Sequence, residues 1–122
     1  MSIATESILD SEKKLLGIDK DYDVFDTDLI MHINSVFGTL HQLGVGPKKE
    51  FSITDSQSCW YEFTTNDREI NEVKTYVYFR LRLIFDPPSS GFVYTGIENQ
   101  AKELEWRLIV KADEVKGTTG DE

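Results

Sequence analysis

The chain is short of cysteine, proline and positive charge. Its 122 residues hold one cysteine, three prolines, and 13 lysines and arginines against 22 aspartates and glutamates. The single Cys59 leaves no internal disulfide, so packing alone must hold the fold. No histidine with a partner base is marked beside it, and it reads as a small half-buried residue, not a reactive thiol. A formal net charge of −9 lacks the clustered cations that grip phosphates. This argues against nucleic acid as a tightly held ligand and against an anionic membrane surface. No window approaches the roughly 18 apolar residues that a spanning helix needs. No basic stretch followed by an apolar run opens the sequence, so no signal peptide is read there, and the expected setting is a soluble protein made in a cytoplasm.

What is present is helical periodicity on a scale suited to one modest core. The first helix carries Ile8, Leu9, Leu15 and Leu16, with Ser2 or Thr5 as its cap, an Asp10–Lys14 pair, and Gly17 as its stop. A second starts at Asp26 or Thr27 and sets Leu29, Ile33, Val36, Phe37, Leu40 and Leu43 on one stripe before Gly44 and the Gly46-Pro47 break. Residues 44–65 are irregular. An extended piece at residues 51–53 precedes a helical turn starting at Asp55 or Ser56 and carrying Trp60 and Phe63.

The most informative stretch is residues 66–113, two long helices joined at Asp86-Pro87-Pro88-Ser89-Ser90-Gly91. Asn66 caps the first, and the prolines end it because neither can donate the next backbone bond. At 100° per residue, Ile70, Val73, Val77, Leu81 and Ile84 share one face, and Tyr76, Phe79 and Leu83 share another. A helix apolar on two sides is central in a bundle or shared between subunits. Ser90 caps the second helix, whose stripe is Val93, Ile97, Ala101, Leu104 and Leu108, with Glu98–Lys102 and Glu103–Arg107 on its flanks. The short connection makes the two helices antiparallel. Phe92 and Trp106 fall opposite that stripe. The fold class is therefore all-α: a small helical bundle with a long antiparallel hairpin and an irregular middle. Residues 1–113 form one domain, and residues 114–122, small and acidic, form a flexible tail.

Several apparent sites fail on spacing. Asp19-x-Asp21-x-Asp23 has the opening of a calcium loop, but Val24 and Ile30 stand where the turn glycine and the bidentate glutamate belong, which leaves a solvated acidic loop. Gly44-Val45-Gly46-Pro47-Lys48-Lys49 lacks phosphate-loop spacing and follows a helix. His32 and His41, nine residues apart on one helix, face different directions and cannot clamp one metal. Ser35, Ser56 and Ser58 lack a nucleophile context. The reading assigns no catalytic residue, no cofactor and no metal. What remains is surplus apolar surface, which marks a protein interface: Trp60, Tyr61, Tyr76, Phe79, Leu83, Phe92, Trp106 and Ile109.

The order of parts resembles a known family. F-D-T-D-L-I-M-H-I-N-S-V-F-G-T-L-H-Q-L-G-V-G-P at residues 25–47 is followed by F-S-I-T-D at 51–55 and the Trp60 turn. V-K-T-Y-V-Y-F-R-L-R-L-I-F-D-P-P-S-S at 73–90 and E-L-E-W-R-L at 103–108 complete the set. Together they resemble the head–tail connector, or neck adaptor, proteins of long-tailed bacteriophages. The shared pieces are packing and turn signals, not catalytic motifs. The resemblance implies a structural virion protein at the neck, a homo-oligomeric ring of about twelve copies below the portal protein. Such a ring joins the portal to a stopper or tail-completion protein and passes genomic DNA without sequence-specific binding. It also implies a C-terminal segment, here Lys111 to Glu122, that reaches into the portal and orders there. The alternative from composition is a small acidic DNA mimic that inhibits a DNA-binding enzyme. Alternating acids and bases on the two long helices weaken it. A third reading is a small hydrolase built on His32 or His41.

Overall fold

A computed structural model describes the chain from residue 5 to residue 119, with side chains to residue 114. The described residues form four α-helices and no strand: α1 (Ile8–Leu16), α2 (Asp26–Gln42), α3 (Asp67–Phe85) and α4 (Gly91–Thr119). The all-α hairpin bundle read from periodicity is the fold.

Helix α1 is capped by Ser7, whose hydroxyl accepts from the Asp10 N–H at 3.2 Å, and not by Thr5; Ser2 lies outside the described residues. Gly17 closes it in the left-handed conformation, φ 80°, which spares a side chain the steric penalty. Its inner face holds Ile8 and Leu9 but also Ser11, Glu12 and Lys13, while Leu15 lies at the edge of that face and is exposed. In α2 the predicted stripe is buried from Leu29 to Leu40, with Leu43 packed at its margin. The helix has no side-chain cap: Phe25 occupies that position, and Asp26 instead accepts a 2.7 Å ion pair from Lys13. That pair ties the end of α1 to the start of α2.

The middle region is irregular but well anchored. The Asn34 amide accepts from the Ile53 N–H and donates to its carbonyl, both at 2.8 Å, replacing the two bonds a strand partner would supply. Cys59 opens a single 3-10 turn, Trp60–Glu62, and the Glu62 carboxylate accepts from the Cys59 N–H at 2.9 Å. The turn therefore begins later than Asp55 or Ser56, and the Asp55 carboxylate caps the Gln57 N–H instead. Residues flanking Ser7 and Cys59 bond in antiparallel fashion, Ile8 N–H to the Ser58 carbonyl and Trp60 N–H to the Glu6 carbonyl. Phe37 gathers Phe51, Trp60 and Phe63 around it, with ring centroids 5.1, 6.2 and 5.2 Å away. Gly46, at φ 99°, lets Phe63 close over it; a Cβ there would stand 2.6 Å from the ring.

Helix α3 is the centre of the bundle and packs against each of the other three helices. The Asn66 side chain caps it by accepting from the Glu69 N–H at 3.0 Å. Ile70, Val73, Val77 and Leu81 are fully buried, and so is Tyr76 on the second face. Ile84 ends the first stripe near the hairpin and is exposed. Helix α4 lies antiparallel along α3: Tyr76 bonds to Glu105, while Ile84 and Tyr94 line the same cleft nearer the connection. Ile97, Ala101 and Leu108 are buried against α3, Leu104 packs beside them, and Val93 at the open end is exposed. Of the predicted helical pairs, Glu103–Arg107 closes at 2.6 Å. The helix runs on to Thr119, so residues 114–119, read as tail, continue α4.

Candidate interaction surface

The structure divides the apolar residues proposed for an interface. Trp60 and Tyr76 are corrected to the interior, since both are fully buried within one copy. Trp60 fills the space under α1, and its indole N–H donates to the Ser11 hydroxyl at 2.9 Å. Tyr76 lies between α3 and α4. Its hydroxyl donates to Glu105 at 2.6 Å and accepts from Arg80 at 3.0 Å, so the polar tip is satisfied where the ring is buried. Burial first, and then the bond to Glu105, push its phenol up to about 12, while nearby Arg80 opposes the shift. Phe79 is partly buried against the core, and Leu83 is half-buried beside the α3–α4 cleft. Thus α4 buries Tyr76, while Phe79 and Leu83 stay half-buried on the second apolar face of α3.

The remaining residues stay outside. Phe92 is 90% exposed, Trp106 is 65% exposed and Tyr61 is 53% exposed. Ile109 and Lys111 are half-buried, and Glu122 lies outside the described residues. On α4, Phe92 and Trp106 differ by 14 residues, which places them within about 40° of each other and about 20 Å apart along the axis. Both point away from Ala101, the close-contact position against α3. They are two separate anchors on one side of a long helix, with Asn99 and Glu103 between them.

A second exposed set was not singled out from the sequence. Val24 is 65% exposed and Met31 is 59% exposed, and Tyr22 and Phe25 are exposed beside them with ring centroids 5.8 Å apart. Part of the signal is helical: Asp28 and Met31, three residues apart on α2, lie on the side away from buried Ile33, while Val24 and Phe25 precede the helix. In the sequence, Asp19, Asp21 and Asp23 read as a solvated acidic loop that feeds the helix cap, and Met31 lies off the α2 stripe.

The concave surfaces offer little chemistry. An open groove of about 1120 Å³ runs along α1, lined by Glu6, Asp10, Lys14, Asp19 and Lys74 among others. Its serines are engaged: Ser7 caps Asp10, while Ser11 donates to the Ile8 carbonyl and accepts from Trp60. A smaller cleft of about 380 Å³ lies over Tyr76, Arg80 and Glu105 between α3 and α4. Among the described residues no group of three His, Cys, Asp or Glu side chains is placed to hold a metal ion. No described helix is long and apolar enough to cross a membrane.

A family model for phage connector proteins matches residues 8–115, nearly the whole described chain. The chain belongs to the phage connector protein family. No curated protein and no solved structure matches it. For a connector, exposed anchors on a self-contained bundle are more informative than clefts, because the work of such a protein is contact with other proteins.

Proposed function

We propose that this connector is a structural virion protein without catalytic activity. In this reading its copies close into a ring of about twelve below the portal protein and join the DNA-filled head to a stopper or tail-completion protein. The single observation that carries the reading is the outer side of α4, where Phe92 and Trp106 remain in solvent after the copy has completed its own core. A closed ring needs one patch to meet a different patch on the next copy, and large aromatic side chains are common anchors of such contacts. The end of α4, from Lys111 onward, is the segment that would reach the portal. With −9 per copy, a ring would bring on the order of a hundred negative charges around the channel. Such walls repel phosphates, so the genome would slide through without sticking. The DNA-mimic alternative would want uninterrupted carboxylates on one face, whereas Arg107 pairs with Glu103 on the exposed side of α4.

The test is Trp106→Asp. The variant should keep wild-type helicity and melting temperature and fail to add to purified portal particles, as seen by electron microscopy. Ring addition at the wild-type level would overturn the reading, as would failure of the wild-type protein to join portals.

A further inference from the structure

The segment from Asp19 to Met31 displays exposed apolar side chains among carboxylates on an anchored stretch of backbone. Tyr22, Val24, Phe25 and Met31 are all exposed, and Asp21, Asp23 and Asp28 are interleaved with them. The segment is firmly held. The buried Lys13 ammonium donates to the Lys20 carbonyl at 3.0 Å and to Asp26 at 2.7 Å, while the Tyr22 and Asp26 N–H groups close turns onto Asp19 and Asp23. His32 packs edge-on against Phe85 at 5.2 Å, fixing the start of α2 beside the hairpin. The apolar side chains are thus displayed on a pre-organised frame, which lowers the ordering cost of binding. Among the described residues, no cationic side chain lies within salt-bridge distance of Asp21, Asp23 or Asp28.

We propose that this face, distinct from the outer side of α4, docks a different protein whose surface is apolar at its centre and rimmed by lysine or arginine. The inference rests on the connector reading for its setting. Charge selects the occupant. A second copy using the same patch would bring aspartates against aspartates, and like charges in a contact are costly. Elsewhere among the described residues, exposed lysines have acids beside them in the sequence, as at Lys48-Lys49-Glu50 and Lys102-Glu103, and Arg107 is paired with Glu103 at 2.6 Å, so a second copy would bring carboxylates along with its cations. Nucleic acid and anionic lipid are repelled by the same carboxylates. A protein with a basic rim satisfies both the apolar and the acidic groups.

Two measurements test this. In the first, full-length ¹⁵N-labelled protein is titrated with a synthetic Leu/Lys amphipathic helical peptide and with its Leu/Glu counterpart. Amide shifts should concentrate on residues 19–31 with the Leu/Lys peptide only, weaken about tenfold or more as salt is raised, and weaken at least about tenfold in Val24→Glu/Met31→Glu. Shifts centred on Phe92 and Trp106, or binding unchanged in the variant, would overturn the proposal. This readout needs no portal, so it stands apart from the proposed function. In the second, the same variant is added to portal particles. It should join them as the wild type does, yet fail to retain the next protein of the neck; failure of the variant to form the ring would make the patch a contact between copies and overturn the proposal.

Discussion

Helices α3 and α4 are the two arms of one hairpin, and they meet solvent in opposite ways. Helix α3 is enclosed by α1 and α2 on one side and by α4 on the other, so residues on two faces contribute to the core. Helix α4 is covered along one stripe, and its far side stands open at Phe92 and Trp106. The difference shows that a two-faced apolar pattern does not by itself demand a partner. The residues left in solvent are aromatics lying opposite a stripe that is already buried.

The two tryptophans, one inside and one outside, should differ most. Trp60→Ala should destabilise the protein by about 3–5 kcal/mol, because it removes a buried ring and leaves the Ser11 hydroxyl without its donor. Trp106→Ala should change stability by no more than about 0.5 kcal/mol. Urea denaturation followed by circular dichroism measures both, and comparable losses would erase the inner–outer distinction. Gly46→Ala should come next, costing about 2 kcal/mol by the same measurement, since the new methyl group enters the Phe63 ring at a left-handed backbone position.

A fourth variant acts in the opposite direction. The carboxyl of Glu12 is buried, and neither of its oxygens has a hydrogen-bond partner. Burial holds it well above the ordinary carboxylate range, and Lys74 only partly opposes this. The folded protein therefore binds this proton more tightly than the unfolded chain does. The Glu12 contribution to stability should fall as pH rises through the ordinary carboxylate range and level off above the folded value. Glu12→Met should raise stability at neutral pH by about 1–3 kcal/mol and remove that part of the pH dependence. Thermal melts of both proteins across pH check this, and a destabilised variant would contradict it. The smallest effect is spectroscopic. In a 295 nm titration one tyrosine should ionise late, near 12, and Glu105→Gln should bring it closer to the others.

Much of the fold was legible because its signals are local and strong. The stripe of α2, the Asn66 cap, the prolines after Phe85 and the glycine stop at Gly17 each have one inexpensive solution for the backbone. The irregular middle was not legible, because its anchors are long-range: Asn34 grips Ile53, and Trp60 reaches Ser11 across 49 residues. The interface reading failed for Trp60 and Tyr76 for the same reason. Periodicity gives the direction of a side chain around its own helix but not which helix will cover it. It served well for Phe92 and Trp106, whose exposure depends only on their position opposite a complete stripe. The Val24–Met31 face is not legible in the sequence, because Val24 and Phe25 precede α2 and acidic neighbours interrupt the apolar positions.

The proposed function has α3 shielded within one copy and the outer side of α4 shielded only by assembly. The two tryptophans report on it directly when replaced biosynthetically by 5-hydroxytryptophan, which is excited apart from the tryptophans of other proteins. In the free protein, acrylamide should quench about half of the emission, that of Trp106, and spare that of Trp60; on portal particles the accessible half should become protected. Two shielded tryptophans in the free protein, or a Trp106 equally quenched before and after assembly, would contradict the account.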